Sequence, residues 1–389
     1  MHEPWAEIGI PLWKIDIGSG SATCSRYQLL RLRARKVSTF MRKYVVNQIG
    51  NVMASEIAEI PAVFTKLLDT ESQFTALANL LKNSEIRSVL VLARGTSDNA
   101  AHFLKYLIET QLGLPVGLTS PSSVTIYRAK LNFENTLIVA ISQSGQSTDL
   151  VEYAAAAKTA GAKLISITND EKSPLAKLAD HHLPLMAGVE LAVAATKSYA
   201  AQLLASVMLV SAWSSKLTNY KSVVAAATEL LANSSALSNA VAKCDRAKEI
   251  VVLGRGFSYP NAREAALKIQ ETSKISVQGL SIADYMHGPI SALTDKTQVF
   301  LMAPNGIPLE SLKADLEKIR AKSPSIFWFG TGELALPNEV VIPGAKCENE
   351  VFSSVVDSII LQAFALEFAR KNGLNPDSPE GLSKVTFTR

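Results

Sequence analysis

Short apolar runs recur along the chain, and each one ends at small or turn-forming residues. They lie at 88–92, 138–141 and 164–167 in the first half and at 249–253, 299–302 and 326–329 in the second. Runs of this length and composition predict buried parallel strands. Helical patterns lie between them, at 99–112, 148–160, 262–271 and 309–321. Strands that alternate with helices predict parallel sheets with right-handed crossovers.

The two halves of the chain repeat one another. The segment 88–97 aligns with 249–258, with matches at Leu92/Leu253, Arg94/Arg255, Gly95/Gly256 and Ser97/Ser258, and the later runs pair at nearly the same offset. We therefore predict two similar α/β sandwiches, roughly at 75–210 and 235–370, each a parallel sheet flanked by helices in a flavodoxin-like three-layer arrangement. Helices in 196–213 and 217–240 would join them, and a helix in 353–372 would close the second.

This organisation divides the chain into four parts. We expect an N-terminal extension at 1–50, a first domain at 51–215, a second domain at 216–372 and a C-terminal tail at 373–389. The extension carries a basic cluster that could bind an anionic surface or serve in targeting, although its first 20 residues lack the apolar core of a signal peptide. The simpler interpretation is an extension that does not pack on the rest of the protein or is translated from upstream of the true start, with Met41 and Met53 as alternative starts.

The loops at the carboxyl ends of the strands differ between the halves, and ligands bind at that edge of open α/β sheets. After Ile141 the first half has Ser142-Gln-Ser-Gly-Gln-Ser147, whereas after Met302 the second half has Ala303–Pro308 and no serine. The start of a helix attracts an anion through its free N–H groups and its dipole. We therefore expect one phosphate site per chain, formed by hydroxyls without a fixed positive charge. A capped helix is the alternative, but it needs one serine rather than three.

Other candidate side chains are acids, bases and cations. Glu264, Lys268 and Glu271 share one face of a predicted helix at 263–274. They form either a solvated ion pair or the wall of a cleft. His287, in a Met-His-Gly-Pro turn, is the best acid–base candidate among the histidines, with a loop-bracing imidazole as the alternative. Lys384 is by position an exposed tail lysine.

Composition and charge exclude several classes of protein. No apolar run reaches the roughly 18 uninterrupted residues of a membrane span. The net charge of +4 arises in residues 1–43, where eight Lys/Arg and three Asp/Glu give +5. The remaining residues, 44–389, contain 31 Lys/Arg and 32 Asp/Glu, a net charge of −1. Because positive and negative charges nearly cancel over residues 44–389, nucleic acid is not the expected partner. The cysteines, Cys24, Cys244 and Cys347, are far apart, and no metal-ligand spacing is visible, so we expect no metal and a reducing, cytoplasmic location.

From about Val52 onward the chain resembles the sugar isomerase (SIS) domain family. Within that family it resembles specifically the isomerase half of glucosamine-6-phosphate synthase and the SIS-type glucosamine-6-phosphate deaminases. Four separated segments carry it: the loop 142–147, the spacing from Glu271 to His287-Gly-Pro, the segment Val193-Ala-Ala-Thr-Lys-Ser198, and the tail motif Leu382-Ser-Lys-Val-Thr386. The chain would accordingly fold as two tandem SIS domains.

The resemblance also implies roles for individual residues. The sugar phosphate would be held by Ser97, Ser142, Gln143, Ser144 and Ser147. The open-chain sugar would be contacted or positioned by Gly95, Thr96, Val193, Ala195, Glu264, Lys268 and Ser383; the family often has Ser where Ala195 stands. Glu271 would move the proton between C1 and C2. His287 would open the ring, reaching into the site of a neighbouring subunit of a homodimer, and Lys384 would form a Schiff base with the ketose or position its hydroxyls.

The N-terminal part of the chain bears on the reaction that we expect. The synthase has a glutaminase domain ahead of its SIS domains, and the roughly 50 residues here are too few for one. We therefore expect deamination of glucosamine 6-phosphate to fructose 6-phosphate and ammonia, with no cofactor. One alternative is a related isomerase or deglycase acting on galactosamine 6-phosphate or a fructosamine phosphate. Another is a non-catalytic module that senses a sugar phosphate, although such modules tend to lack the glutamate, histidine and tail lysine.

Overall fold

The computed structural model describes residues 49–233, 235–322 and 324–384. The basic N-terminal cluster, Met41, Cys24 and the end of the tail motif lie outside these residues. Three helices precede the first sheet: α1 (Asn51–Ala58), α2 (Ile60–Leu68) and α3 (Glu71–Lys82). In α2 the apolar residues at 60, 63, 64 and 67 are buried, the spacing of one helical face that packs on a core.

The first sheet has five parallel strands in the order β2-β1-β3-β4-β5. Their bounds are β1 (Ser88–Leu92), β2 (Val116–Leu118), β3 (Thr136–Ser142), β4 (Lys163–Thr168) and β5 (His181–Pro184). All seven residues of the central β3 are buried, because helices cover both faces of a parallel sheet. The short edge strands β2 and β5 were not predicted, and β5 contains His181 and His182.

The helices of the first half are α4 (Thr96–Leu112), α5 (Ser122–Thr125), α6 (Thr148–Thr159), α7 (Pro174–Leu178) and α8 (Lys197–Ser214). Helix α4 begins three residues before the predicted 99, so Ser97 lies in its first turn. The reason is Gly95, whose φ of 56° is easily reached only by glycine and turns the chain sharply from β1 into the helix.

The second sheet repeats this topology with the order β10-β9-β8-β6-β7, again all parallel. Its strands are β6 (Glu249–Gly254), β7 (Val277–Ser281), β8 (Thr297–Ala303), β9 (Ser325–Gly330) and β10 (Val340–Pro343). Its helices are α9 (Val223–Ala232), α10 (Ser235–Lys243), α11 (Tyr259–Ser273), α12 (Ile282–Met286), α13 (Ile307–Arg320) and α14 (Glu350–Lys371). The predicted architecture of two parallel sheets flanked by helices is confirmed.

Helix α14 is, among the described helices, the one that is long and apolar enough to cross a membrane by composition. Within the protein, however, 89% of its most apolar window is buried. It runs through the core of the second half, where Phe364 and Phe368 pack with Phe300 and Phe329 of the sheet. Its composition is therefore that of a central core helix.

Candidate active site

The loop Ser142–Ser147 connects β3 to α6 at the carboxyl edge of the first sheet. Gly145 has a φ of 63°, and a Cβ there would lie 2.2 Å from Ser173 Oγ, so the turn requires glycine. The backbone N–H of Gly145 donates to Ser142 Oγ at 3.0 Å. Ser147 occupies the N-cap position of α6, but its side chain makes no capping hydrogen bond. The simple capped-helix alternative therefore does not describe this serine.

One cleft, with a volume of about 350 Å³, brings this loop together with four other segments of the chain. It is lined by Arg94, Gly95, Thr96, Ser97, Ser142, Gln143, Ser144, Ser147, Val193, Ala195, Glu271, Leu382, Ser383 and Lys384. A space of this size with converging polar groups suits a small polar ligand. Every residue predicted to hold the phosphate lines the cleft, as do two of the predicted catalytic residues, Glu271 and Lys384.

The first turn of α4 contributes hydroxyls that are already oriented. Gln202 Nε2 donates to Ser97 Oγ at 2.9 Å, and both side chains are buried. Thr96 Oγ1 donates to Glu264 Oε1 at 3.2 Å, which ties the first half of the molecule to α11 of the second. The cleft therefore lies where the two halves meet.

Glu264, Lys268 and Glu271 form a buried charge cluster on α11. Lys268 Nζ lies 3.5 Å from Glu264 Oε1 and also pairs with Glu271 Oε2, while the side chains of Glu264 and Lys268 are 0% exposed. The solvated-ion-pair interpretation is therefore wrong. Of the three, Glu271 is the member that lines the cleft, while Glu264 and Lys268 are buried beside it. The predicted role of Glu264 and Lys268 in positioning the sugar stays a prediction.

Burial and charge act in opposite directions within this cluster. Burial raises the pKa of Glu264 to about 7, although Lys268 and the hydrogen bond from Asn99 oppose the shift. Burial alone would lower the pKa of Lys268, but the carboxylates of Glu264 and Glu271 outweigh it and hold that pKa above its ordinary value. Lys268 is therefore an ammonium at neutral pH, and its charge-assisted hydrogen bond orients Glu271.

Arg94 is a cleft residue to which the sequence analysis gave no role. Its Nε donates to Asp149 Oδ2 at 2.9 Å, and Asp149 is 3% exposed at the start of α6. That buried carboxylate opposes an anion at the helix start, and the guanidinium compensates for it. Contrary to expectation, the cleft contains a fixed positive charge. The sequence did indicate this residue, because Arg94 lies two residues after the end of the first strand. Its match with Arg255 in the second half, however, suggested a feature of the repeated scaffold.

Lys384 lies in the wall of the cleft instead of in an exposed tail. Its Nζ donates to Glu190 Oε2 at 2.9 Å and to the carbonyl of Ala192 at 2.7 Å. The tail is also held at Asp377, whose carboxylate accepts the N–H of Met53 at 2.8 Å and whose carbonyl accepts the N–H of Val193 at 3.1 Å. Lys384 therefore reaches the cleft because the tail docks against the first half.

His287 lies outside the cleft. It follows α12, is exposed to solvent and is not among the lining residues. His102 is inside α4, where burial and Arg263 lower its pKa to about 4. Among the described residues no group of His, Cys, Asp and Glu could hold a metal ion. The role of His287 across a subunit boundary stays a prediction.

The counterpart loop in the second half has different chemistry. A Cβ at Gly306 would lie 2.6 Å from Glu350 Oε2, so a carboxylate stands beside the loop that corresponds to Ser142–Ser147. Negative charge at this position disfavours a phosphate. One phosphate site per chain stays a prediction.

Comparisons with known proteins find the SIS domain, whose family model matches residues 83–212 and 245–328. The glutamine–fructose-6-phosphate aminotransferase (isomerizing) of Methanothermobacter thermautotrophicus is 30% identical over 338 residues, which are 85% of this chain and 56% of that protein. The chain thus spans about half the length of the curated relatives it matches.

Two solved structures are similar in both fold and sequence. A candidate phosphosugar isomerase from Silicibacter pomeroyi is 31% identical with a TM-score of 0.76, covering 84% of this chain and 99% of that one. The C-terminal domain of glucosamine-fructose-6-phosphate aminotransferase from Francisella tularensis is 25% identical with a TM-score of 0.74, covering 84% and 98%. Both matches extend over nearly the whole of the solved chain.

Proposed function

The chain belongs to the SIS domain family, and we propose that it is an isomerising deaminase of an amino-sugar phosphate. The reaction would be glucosamine 6-phosphate plus water to fructose 6-phosphate plus ammonia. The observation that carries the proposal is the cleft in which the serine loop, Glu271 and Lys384 face one another. The names of the similar proteins, a fructose-6-phosphate aminotransferase and a candidate phosphosugar isomerase, support the same class of substrate.

The substrate would be anchored by its phosphate. The hydroxyls of the 142–147 loop and of Ser97 line the same cleft, and the 12-residue helix α6 begins at the end of this loop, which favours an anion. Arg94 adds a positive charge to the lining of this cleft. The sugar chain would then extend toward Glu271 and Lys384 with its phosphate fixed, so that binding energy from the phosphate orients the reacting carbons.

Glu271 would perform the proton transfer. Its carboxylate takes the proton from C2 of the open-chain amino aldose, which gives an enolamine, and returns a proton to C1. The product is a C2 imine, which water hydrolyses to the ketone of fructose 6-phosphate with release of ammonia. Lys268 holds the carboxylate in place, and Lys384 is in the cleft wall either to form a Schiff base with the ketose carbonyl or to donate to sugar hydroxyls.

The proposed setting of the reaction is a cytoplasmic homodimer. His287 is exposed and outside the cleft of its own chain, so ring opening by this residue requires a second copy. Cys244 and Cys347 are free thiols, as suits a reducing compartment. A protein that turns over as a monomer, shown by sedimentation at the assay concentration, would contradict the dimer.

The substrate is tested by mixing the purified protein with glucosamine 6-phosphate. We expect ammonia and fructose 6-phosphate in equal amounts, each measured by its own coupled assay. Conversion of galactosamine 6-phosphate or a fructosamine phosphate instead would overturn the choice of sugar. Binding of these compounds without turnover of any would favour a sensing module.

Replacing Arg94 by Gln should weaken phosphate binding with little effect on the chemical step. We expect KM to rise about tenfold or more at similar kcat, because a hydrogen bond to a charged group contributes roughly 1.5–3 kcal/mol. Steady-state kinetics measure both constants. The matched control is Arg255→Gln, the same position in the second half and outside the cleft. An unchanged KM in Arg94→Gln would show that the arginine does not contribute to phosphate binding.

A further inference from the structure

A buried carboxylate stands behind Lys384, and neither the sequence analysis nor the proposed reaction uses it. Glu190 lies in the loop between β5 and α8, and its side chain is 0% exposed. It accepts hydrogen bonds from the N–H groups of Thr196 at 2.9 Å and Ser198 at 3.0 Å and from Ser198 Oγ at 2.7 Å. Lys384 Nζ completes its set of donors at 2.9 Å.

The charge of Glu190 needs a partner, because an unpaired ionised group in a protein interior is costly. Among the described residues, Lys384 is the cation that forms an ion pair with Glu190. Burial alone would raise the pKa of Glu190, but the Lys384 ammonium and the two backbone N–H groups outweigh burial and hold that pKa below its ordinary value. The carboxylate is therefore a permanent anion beside the cleft.

We propose that Glu190 is the positioning residue for Lys384: its buried carboxylate holds the lysine ammonium, and with it the end of the C-terminal tail, against the wall of the cleft. The effect on turnover rests on the proposed function. The docking of the tail does not, and it can be measured without any substrate.

The surroundings of Glu190 make it suitable as a fixed anchor. We call residues 190–193 the docking loop. Glu56 of α1 accepts the N–H of Ala192 at 3.3 Å and also contacts the N–H of Leu191. Asp377 accepts the N–H of Val193 through its carbonyl. The docking loop is thus held by α1 and by the tail, while its carboxylate points to Lys384.

Among the tail residues that the structure describes, one other side chain besides Lys384 forms an ion pair. Glu380 pairs with Lys274, and the Glu380 side chain is 88% exposed. Exposed pairs of this kind contribute little to stability. The placement of Lys384 therefore depends on Glu190 far more than on this surface pair, and the two carboxylates form a matched comparison within one segment.

The first experiment compares Glu190→Gln with Glu380→Gln. The glutamine at 190 keeps the shape and can still accept the N–H of Thr196 or Ser198, but it has no charge for Lys384. We expect kcat to fall at least tenfold with KM changed less than twofold, and amide hydrogen exchange over 377–384 to become faster. Glu380→Gln should leave all three unchanged. Unchanged tail exchange in Glu190→Gln would overturn the proposal.

The second experiment separates positioning from a purely structural role, since Glu190 also bonds the start of α8. In a double-mutant cycle, Glu190→Gln should lower kcat in the native background but add nothing to Lys384→Met. Equal losses in both backgrounds would overturn the proposal. If Glu190→Gln does not fold, Lys384→Met alone should still speed exchange over 377–384, and unchanged exchange there would equally overturn it. Absence of turnover by the unmodified protein would contradict the proposed function only.

Discussion

Glu271→Gln should lower kcat by about a hundredfold to ten-thousandfold, because an amide cannot accept the C2 proton and a positioned general base contributes a factor of that size. Sugar-phosphate binding should persist, since the phosphate end of the cleft is unchanged and glutamine has nearly the same volume. Kinetics of ammonia release measure the loss, and titration calorimetry with glucosamine 6-phosphate measures the binding.

The control for this change is Glu310→Gln. Glu310 pairs with Lys313 at the same helical spacing as Lys268 and Glu271, but its side chain is 72% exposed. This variant should keep full activity. Turnover by Glu271→Gln within tenfold of the native rate would show that another group is the base.

Lys268→Met should lower the free energy of unfolding by about 3–5 kcal/mol, the cost of leaving a buried charge without its partner. Lys268 is fully buried between Glu264 and Glu271, and methionine fills its space without its charge. Turnover should fall as well, because Glu271 loses the group that orients it. Denaturant-induced unfolding measures the stability, and the ammonia assay measures the activity.

Two further variants sharpen this prediction. Lys313→Met, on an exposed helix pair, should change the stability by less than about 0.5 kcal/mol. Adding Glu264→Gln to Lys268→Met should recover part of the lost stability by replacing a buried acid that has lost its cation with a neutral amide, while activity stays low. If Lys268→Met alone is as stable as the native protein, the charge cluster does not contribute to the fold as described.

Much of the architecture could be predicted because its signals are local. The central strands are continuous apolar runs, and the helices between them have clear amphipathic spacing, so the duplication followed from aligning the runs. The serine loop could be singled out because its residue types and its place after a strand predict an anion site. The edge strands β2 and β5 were missed because they contain three and four residues and owe their conformation to pairing with a neighbour.

The buried charges were harder to interpret from spacing alone. Glu264 and Lys268 were correctly placed on one helical face with Glu271, but their burial beside Glu271 depends on the packing of α11 against the first half. Spacing within a helix defines which residues share a face. It does not define what that face meets.

The two α/β sheets, their duplication and the difference between their loops could be predicted from the amino-acid sequence, because these follow from the periodicity and residue types of short segments. Tertiary packing was needed to bring Arg94 into the same cleft as the serine loop, to leave Glu271 as the exposed end of a buried charge cluster, and to place Glu190 against Lys384. The physical reason is that these contacts join residues far apart in the chain. The energies that select them, burial of charge and pairing across segments, arise only once the two halves and the tail have packed together.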